Sequence, residues 1–411
     1  MLEHDTLPPA HGGGRAVRSR GSNQVGVRQF NERVVLQAVR ANGALPKAEL
    51  ARLTGLTAQT IGVITTRLEE DHLLKRDAPV RGKVGQPSVP LGLNPDGAFA
   101  VGIKIGRRSA DWLLVDFTGA VRERITLDYP FPDTDSLLPA IKANLERLLA
   151  TLGPLRSRTV GVGVAMPFHL GGWHRMLGLT EAQSRAWNEI DLGAEVQALT
   201  DLPVRFAKDT TAACVAELLQ GRGREARSFL YLFVDTFVGG GLVIDSHLHR
   251  GLNGNAGAVA SLPLQVAGPG EPAPPQLVTQ ASLWDLEQHF RAQGLDALAA
   301  YDARALQEPW AAATHAWTAS AARALAHCVV SGTTFLDLEA VVIDGAMDRA
   351  VLDELIAQTT LRLREYNWEG LFDPPRLERG SIGADARALG GALLPLHANF
   401  APEHGVFLKE E

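Results

Sequence analysis

Cysteine is scarce in this chain of 411 residues, which contains only Cys214 and Cys328. Two cysteines are too few for a disulfide framework or for a zinc site built from cysteines. Both lie in apolar runs, where free thiols are commonly buried. With 45% apolar residues, the chain has enough core-forming side chains for more than one domain.

Long apolar runs are also missing. No uninterrupted stretch reaches the roughly 20 residues that a membrane-spanning helix needs, and no apolar segment of the secretory type stands at the N-terminus. The histidines show no metal-ligand spacing on a helix face. We therefore expect a cytoplasmic protein that makes no membrane contact and holds no metal.

Positive charge is concentrated at the front of the chain. Residues 1–98 contain 13 Lys and Arg against 9 Asp and Glu, a formal charge of +4, while 27 against 37 in the remainder give −10. A basic front on an acidic body directs nucleic acid to one end. Residues 1–27 have no apolar periodicity and predict a disordered basic tail, whose arginines either grip phosphates or are merely solvated.

Residues 28–95 contain three helical patterns in succession. The first covers 33–40, and the second covers 46–54, where a proline suits the first helical turn. Gly55 supplies a tight turn, and Thr57 is placed to cap the third helix. The apolar side of that third helix carries Ile61, Ile64 and Leu68.

The chain after the third helix predicts a wing. A turn at 77–79 precedes the segment 81–91, which fits two short strands joined by a basic tip containing glycine. A three-helix bundle with an exposed charged face is the alternative, but the order of the elements favours a winged helix-turn-helix. The predicted contacts to double-stranded operator DNA are Lys47, Thr57, Gln59, Thr60, Arg67, Arg81, Lys83 and Gln86.

From residue 98 onwards, strand and helix patterns alternate in two similar series, which predicts an α/β body of two lobes with a cleft between them. The first lobe is predicted over 96–207 plus about 380–411, and the second over 208–379. An alanine-rich helix over 311–328 would pack against another helix or a second subunit. The predicted strands are 99–105, 109–116, 121–129, 159–166, 202–207, 228–234 and 242–245, with helices at 137–152 and 210–219.

Several motifs together resemble the ROK family of repressors, open reading frames and kinases, in its DNA-binding regulator branch. The motifs are Gly85-Gln-Pro87, Gly161-Val-Gly-Val-Ala-Met-Pro167, Lys208-Asp-Thr-Thr-Ala-Ala213, Gly239-Gly-Gly241, Gly254-Asn-Ala-Gly257, Val342-Ile-Asp-Gly345, Gly380-Ser-Ile-Gly383 and Gly390-Gly-Ala392. The resemblance covers about residues 31–400. It implies an actin-like, ribonuclease-H-like fold of two lobes, a homodimer or higher even oligomer, and a response to sugars.

The chain departs from the family kinases at the first strand. Where those enzymes have aspartate followed by Gly-Gly-Thr, this chain has Lys104-Ile-Gly106-Arg107-Arg108. A lysine cannot coordinate magnesium, which phosphoryl transfer uses to neutralise developing charge. We therefore predict no kinase activity and no cofactor. Arg107 and Arg108 either attract an anion or belong to a solvated turn.

The family's sugar motif is also altered. Its Ala-Gly-Glu and following histidine are replaced here by Ala256-Gly-Ala-Val-Ala-Ser261. The family's zinc depends on that histidine and on a cysteine cluster downstream, but residues 262–282 contain no cysteine. We expect a proline-stiffened loop in place of a zinc site.

Asp209 falls on the family's catalytic aspartate. It would act as a general base, accept two sugar hydroxyls, or cap the following helix. Lys208 stands where the family has asparagine, and its charge suits an acidic or phosphorylated sugar. The alternative is a vestigial pocket, with Trp187 in the core. The predicted ligand-binding residues are Trp187, Asn188, Lys208, Asp209, Asn255, Gly257 and Ser261.

These observations predict a sugar-responsive, dimeric transcriptional repressor whose recognition helices lie about 34 Å, or a multiple of that distance, apart. A carbohydrate or sugar derivative in the cleft would change the angle between the lobes and the spacing of the DNA-binding heads. Two alternatives stay open: a sugar kinase with an accessory DNA-binding head, and a regulator controlled by a protein partner.

Overall fold

The computed structural model describes residues 24–79, 88–167, 180–371 and 373–402, with the backbone alone at 182–184 and 188. The α-helices within these ranges are α1 (Gln24–Asn42), α2 (Lys47–Thr54), α3 (Ala58–Glu70), α4 (Thr134–Thr151), α5 (Glu181–Glu189), α6 (Leu192–Ala198), α7 (Asp209–Gln220), α8 (Leu283–Ala292), α9 (Ala311–Leu336), α10 (Arg349–Leu363) and α11 (Ala386–Phe400). The strands are β1 (Leu74–Arg76), β2 (Leu91–Leu93), β3 (Phe99–Ile105), β4 (Ser109–Asp116), β5 (Val121–Asp128), β6 (Thr159–Met166), β7 (Val204–Lys208), β8 (Phe229–Val234), β9 (Gly239–Ile244), β10 (His247–His249), β11 (Ala340–Gly345) and β12 (Arg376–Arg379).

The helix-turn-helix forms as its sequence predicts. Gly55 ends α2 in the left-handed region at φ +70°, and its N–H donates to the carbonyl of Ala51. The Thr57 hydroxyl accepts the backbone N–H of Thr60 at 3.2 Å and so caps α3. The inward side of α3 is buried as expected at Ile61, Ile64 and Leu68.

The first helix is longer than its apolar pattern indicated. It begins at Gln24, so the last four residues of the predicted tail, 24–27, are helical. Its buried side chains include Val35, Leu36 and Val39. Residues 1–23 lie outside the described part of the chain.

Two short antiparallel strands follow α3, with Leu74 opposite Leu93 and Arg76 opposite Leu91. β1 lies before the predicted wing segment 81–91, and β2 begins at the last residue of that segment, Leu91. The Asp77 N–H donates to the carbonyl of Pro90 and extends the pairing by one step. Residues 80–87, including the predicted tip, lie outside the described residues.

The two larger sheets repeat one design. The first has the order β5-β4-β3-β6-β7 and the second has the order β10-β9-β8-β11-β12. In each, the first three strands of the order pair antiparallel and the last two add in parallel. The bounds of β3, β4 and β6 agree with the predicted strands. The similarity of the two series, read first from the sequence, is therefore confirmed, while the residue boundaries of the lobes remain predictions.

One strand boundary was wrong. The triple glycine was expected to precede a strand at 242–245, but Gly239, Gly240 and Gly241 are themselves in β9. A Cβ at Gly239 would lie 2.7 Å from the Thr210 side chain, and one at Gly241 would lie 2.5 Å from Cβ of Cys214. The glycines therefore let α7 lie directly on this strand, a contact that alternation along the strand does not reveal.

Two helices connect the sheets. α11 packs on β3 and β6, α7 packs on β9, and α7 and α11 pack on each other. A Cβ at Gly390 would lie 1.7 Å from the carbonyl oxygen of Ala212, and one at Gly163 would lie 1.9 Å from that of Gly391. Only glycine permits these backbones to come so close.

The helix-turn-helix region, which comprises α1, α2, α3, β1 and β2 and is called the head below, packs directly on the α/β body. The Arg33 guanidinium donates to the carbonyls of Ala398 and Ala401 at 3.3 and 3.1 Å, at the C-terminal end of α11. Arg40 donates to the Phe117 carbonyl at 2.9 Å, and the Phe117 and Phe400 rings meet edge to face at 4.8 Å. Buried apolar side chains of the head and of the first sheet belong to one continuous cluster. Among the helices described, none is long and apolar enough to cross a membrane.

Candidate functional site

The outer side of α3 gathers several of the predicted DNA contacts. Lys47, Gln59 and Arg67 line one open concavity of about 850 Å³, together with Val63. The Val63 side chain is 68% exposed and can therefore be reached by a partner. Thr57 and Thr60 lie at the N-terminal end of the same helix, with hydroxyl oxygens 2.8 Å apart.

The predicted DNA contacts differ in how far their charge is free to meet phosphate and in whether the structure describes them. The Nε of Arg67 lies 3.6 Å from a Glu32 carboxylate oxygen and 3.8 Å from one of Asp71, so part of its charge is balanced within the head. Arg81, Lys83 and Gln86 lie outside the described residues, and their contacts remain predictions. Sequence reasoning overlooked Thr66, which lines the same concavity one turn along α3 from Gly62.

In the body, Lys104 occupies the position where family kinases carry the metal-binding aspartate. Its buried ammonium donates to Oγ of Ser109 at 2.8 Å and to Oδ2 of Asp111 at 3.2 Å. Burial and the nearby Arg387 lower the pKa of Lys104, while Asp111 opposes that shift. Thr126 donates to the other oxygen of Asp111 at 2.8 Å. The local charges are thus matched within β3, β4 and β5.

Arg108 joins the two halves of the body. Its Nη2 donates to both carboxylate oxygens of Glu287 on α8, at 2.7 and 2.8 Å. Glu287 is fully buried and also accepts Arg291 at 2.6 Å and the Tyr301 hydroxyl at 2.8 Å. The solvated turn considered for Arg108 is therefore wrong, because the side chain forms a bridge between elements 179 residues apart.

Arg107 also points inward. Its guanidinium carbon lies 4.4 Å from the centre of the Phe237 ring. Burial lowers the pKa of Arg107 to about 10, a shift that the carboxylates of Asp209 and Asp235 oppose. The group therefore stays charged at neutral pH, and its half-buried side chain packs on Phe237.

Asp209 begins α7 and is engaged by a residue that sequence reasoning missed. Its Oδ1 accepts the Thr210 N–H at 2.9 Å, but Asp209 is the first residue inside α7, and the residue at the cap position is Lys208, so the capping role considered for Asp209 is wrong. Its Oδ2 lies 3.5 Å from Nη1 of Arg387, which also forms a close ion pair with Asp235. Burial would lower the pKa of Arg387, but the two carboxylates outweigh that effect and raise it.

Sequence reasoning missed both Asp235 and Arg387, although the sequence contains a weak signal for each of them. Asp235 directly follows the buried strand β8, and strand ends are common places for functional carboxylates. Arg387 lies within the segment 380–392, which attracted notice only for its glycines.

These side chains meet at a cavity of about 360 Å³ between the two sheets. This volume lies at the low end of the range for small-molecule sites. The lining is basic and contains few large apolar groups. It comprises Lys104, Gly106, Arg107, Arg108, Ser109, Asp235, Thr236, Leu298, Tyr301, Ala346, Ala384 and Arg387.

Trp187 does not provide an aromatic platform, and that prediction was wrong. The indole is 5% exposed in the core below the first sheet, and its N–H donates to the carbonyl of Pro132 at 2.9 Å. The core position, considered as the alternative, is correct because the ring fills space beside α4 and the indole finds a backbone partner there. The side chain of Asn188 lies outside the described part of the chain.

The other predicted ligand residues are dispersed. Lys208 is half-buried at the start of α7, where burial lowers its pKa. Gly257 has φ +75° and packs on the backbone of Gly241, whereas Asn255 and Ser261 are exposed. None of these four residues is among the described residues that line the cavity. Their roles in binding remain predictions.

The segment between Pro263 and Gln276, where the family resemblance would place a zinc-binding cysteine cluster, forms a loop whose two ends pair with each other. Pro263 and Gln276 form an antiparallel bridge, and the Leu264 N–H donates to the carbonyl of Pro275 at 2.9 Å. Among the residues that the structure describes, no group of three or more His, Cys, Asp or Glu is arranged to hold a metal ion.

Comparison with known proteins agrees with the architecture. The sequence profile of the ROK family matches residues 100–397. The xylose repressor of Bacillus spizizenii is 22% identical over 252 residues, which are 60% of this chain and 64% of that protein. The transcriptional regulator Mb0495 of Mycobacterium bovis is 28% identical over 235 residues, 56% of this chain and 52% of that protein. The chain thus spans less than two thirds of the length of each relative.

Among solved structures, a ROK family transcriptional regulator described as a homologue of the E. coli MLC protein superposes with a TM-score of 0.66. It is 20% identical, and the match covers 92% of this chain and 98% of that one. The fold is therefore the two-lobed, actin-like α/β fold preceded by a winged helix-turn-helix. The chain belongs to the ROK family.

Proposed function

We propose that this protein is a DNA-binding transcriptional regulator, a repressor, controlled by a carbohydrate or sugar derivative in the cleft between its sheets. The observation that carries the proposal is the connection between head and cleft. One helix, α11, has Arg387 of the cleft near its first residue and holds Arg33 of the head at its last turn. A movement of this helix at the cleft is thereby transmitted to α1.

The geometry of that connection supports a rigid transmission. α11 has 15 residues, which corresponds to roughly 22 Å of helix. It is clamped against α7 and β6 by backbone contacts that leave no room for a Cβ. Ligand binding can bias such a helix only if the ligand has different affinities for its two positions. A ligand that displaces Asp209 or Asp235 from Arg387 would have different affinities for the two positions of the helix.

The carbohydrate class of the ligand is supported by relatives named as xylose repressors. The DNA-binding role is supported by the exposed outer side of the capped helix α3. We propose a homodimer as the active form, because two heads would be needed to read a palindromic site.

We infer further that the protein has no sugar kinase activity. Lys104 places a cation where magnesium would bind, and the carboxylate of Asp209 is engaged by Arg387 and by its own helix. A general base must reach the proton that it abstracts, and an arginine on the carboxylate competes with that contact. Incubation with ATP, magnesium and a panel of sugars should give no phosphorylated product. A product that disappears in Asp209→Asn would contradict this inference.

The main test is retention of DNA by the purified full-length protein. Fragmented genomic DNA from the source is incubated with the protein at near-physiological salt, and the bound fragments are sequenced. Enrichment of a palindromic site is expected. A double variant, Gln59→Ala with Thr60→Ala, should lose that enrichment, whereas Arg156→Ala on the body should keep it. Recovery of no sequence above the non-specific background would contradict the regulator proposal.

A further inference from the structure

Arg107 is a charged side chain in the cleft that has no counter-ion among the residues that the structure describes. Among the described residues, no hydrogen bond or ion pair reaches its guanidinium, and its Nε is completely buried without a hydrogen-bond partner. Its described contact is the face of the Phe237 ring. The residue as a whole is half-buried, and arginines that are partly withdrawn from water are normally paired, because removing a charge from water is costly.

The other charges around the cavity are matched to one another. Lys104 pairs with Asp111, Arg108 and Arg291 share Glu287, and Arg387 lies between Asp235 and Asp209. These groups, Arg107 included, comprise five cations and four carboxylates, so the group carries one positive charge in excess. Asp209 and Asp235 act on Arg107 only through space.

The contact with Phe237 does not replace a counter-ion. A cation over an aromatic ring gains about 0.5–2 kcal/mol, whereas the desolvation of an ion costs several kcal/mol. The ring also covers one face of the guanidinium and leaves its edge, which carries the N–H groups, to other partners. Arg107 lines the 360 Å³ cavity, so a ligand in that space has access to the group.

We infer that this cavity binds the carboxylate of an acidic sugar derivative, with Arg107 as its direct partner. The inference rests on the proposed function in placing the effector in this cleft. A carboxylate presents two oxygens that match two N–H groups of a guanidinium. It also carries the single negative charge that the group lacks. Ser109, Asp235 and Thr236 line the same space and offer polar partners to hydroxyls.

A phosphate ester fits the charges less well. It carries about two negative charges at neutral pH and would leave the group with a net negative charge. The single excess cation therefore favours a carboxylate. Neutral sugars would leave Arg107 unpaired and are expected to bind more weakly than the corresponding acids.

The test compares matched ligands by isothermal titration calorimetry on the full-length protein without DNA. The probes are xylose and glucose, the acids xylonate and glucuronate, and glucose 6-phosphate. The variants are Arg107→Met, which keeps the length of the side chain but removes the charge, and Arg107→Lys, which keeps the charge. Arg227→Met is the control, because Arg227 is 74% exposed on its side chain and pairs with Asp245 away from the cavity.

At least one acid should bind more tightly than its neutral sugar, and Arg107→Met should weaken that binding about 10- to 100-fold. Arg107→Lys should weaken it less, and Arg227→Met should leave it unchanged. The melting temperature of free Arg107→Met should equal or exceed that of the wild type, since a half-buried charge with no described counter-ion has been removed.

Three results would overturn the inference. These are binding of the neutral sugars but not of the acids, preference for the phosphate ester, or a lower melting temperature of free Arg107→Met that Arg107→Lys restores, which would make the residue structural. Failure of the proposed function is seen separately. A protein that binds the acid through Arg107 but retains no specific DNA contradicts the regulator proposal and leaves this assignment intact.

Discussion

Gly390→Ala tests the close packing of α7 on α11. The new Cβ would lie 1.7 Å from the carbonyl oxygen of Ala212 and 2.2 Å from its carbonyl carbon. An ordinary carbon–oxygen contact is about 3.3 Å, so the helices must separate by roughly 1.6 Å. Both obstructing atoms belong to the backbone, and no side-chain rotation relieves the clash.

The magnitude follows from two opposing effects. Overpacking of a well-filled interior costs about 1–3 kcal/mol, and a backbone obstacle places this site at the upper end. Replacement of glycine by alanine within a helix returns about 1 kcal/mol. We expect a net loss of roughly 2 kcal/mol in the free energy of unfolding, which lowers the melting temperature of a chain of 411 residues by about 2–3 °C.

Differential scanning calorimetry measures this change, and Gly62→Ala is the matched control. Gly62 also lies within a helix, but a Cβ there meets nothing within 4 Å. The control should therefore raise the free energy of unfolding by about 0.5–1 kcal/mol. If Gly390→Ala were as stable as the wild type, the argument that glycine sets the distance between α7 and α11 would be refuted.

Three further predictions concern the head, the thiols and the wing. Arg33→Ala should leave operator binding intact but reduce the effect of ligand on DNA affinity, which fluorescence anisotropy measures with and without ligand. An unchanged ligand effect would show that the contact between Arg33 and the end of α11 does not couple the cleft to the head. Burial raises the pKa of Cys214 above the ordinary range and that of Cys328 to about 12, so neither thiol should react with a disulfide reagent at pH 8 until urea unfolds the chain. For the same reason the free energy of unfolding should fall as pH rises above about 9, because the unfolded state then releases thiol protons that the folded state retains. Arg81→Ala should weaken binding to all DNA sequences and reduce the slope of log affinity against log salt by about 0.9, and an unchanged slope would show that the wing does not touch phosphate.

Local features were predictable because they depend on neighbours in the sequence. The cap at Thr57, the turn at Gly55 and the bounds of β3 follow from side-chain chemistry and apolar runs within a few residues. The cation at Lys104 was visible in the same way, once the motif around it had been aligned with the family. The first helix was underestimated at its N-terminal end because residues 24–27 carry little apolar pattern.

The cleft was less predictable because its partners are distant along the chain. Arg108 and Glu287 are 179 residues apart, and Arg387 and Asp209 are 178 residues apart. No spacing rule links such positions. Trp187 shows the same limit, since a tryptophan at a surface helix suits either a sugar platform or a core, and only packing beside α4 placed it in the core.

The sequence alone determined the order of the elements, the two repeated sheets, the helix-turn-helix and the cation at Lys104. Each of these is encoded by residue type, short-range periodicity or a motif that stands contiguous in the chain. The tertiary structure alone decided that Arg387 balances Asp209 and Asp235, that Arg107 has no described counter-ion, and that α11 joins the cleft to the head. These features arise from charge balance and close packing in three dimensions, where the partner of each group is set by the fold and not by its sequence neighbours.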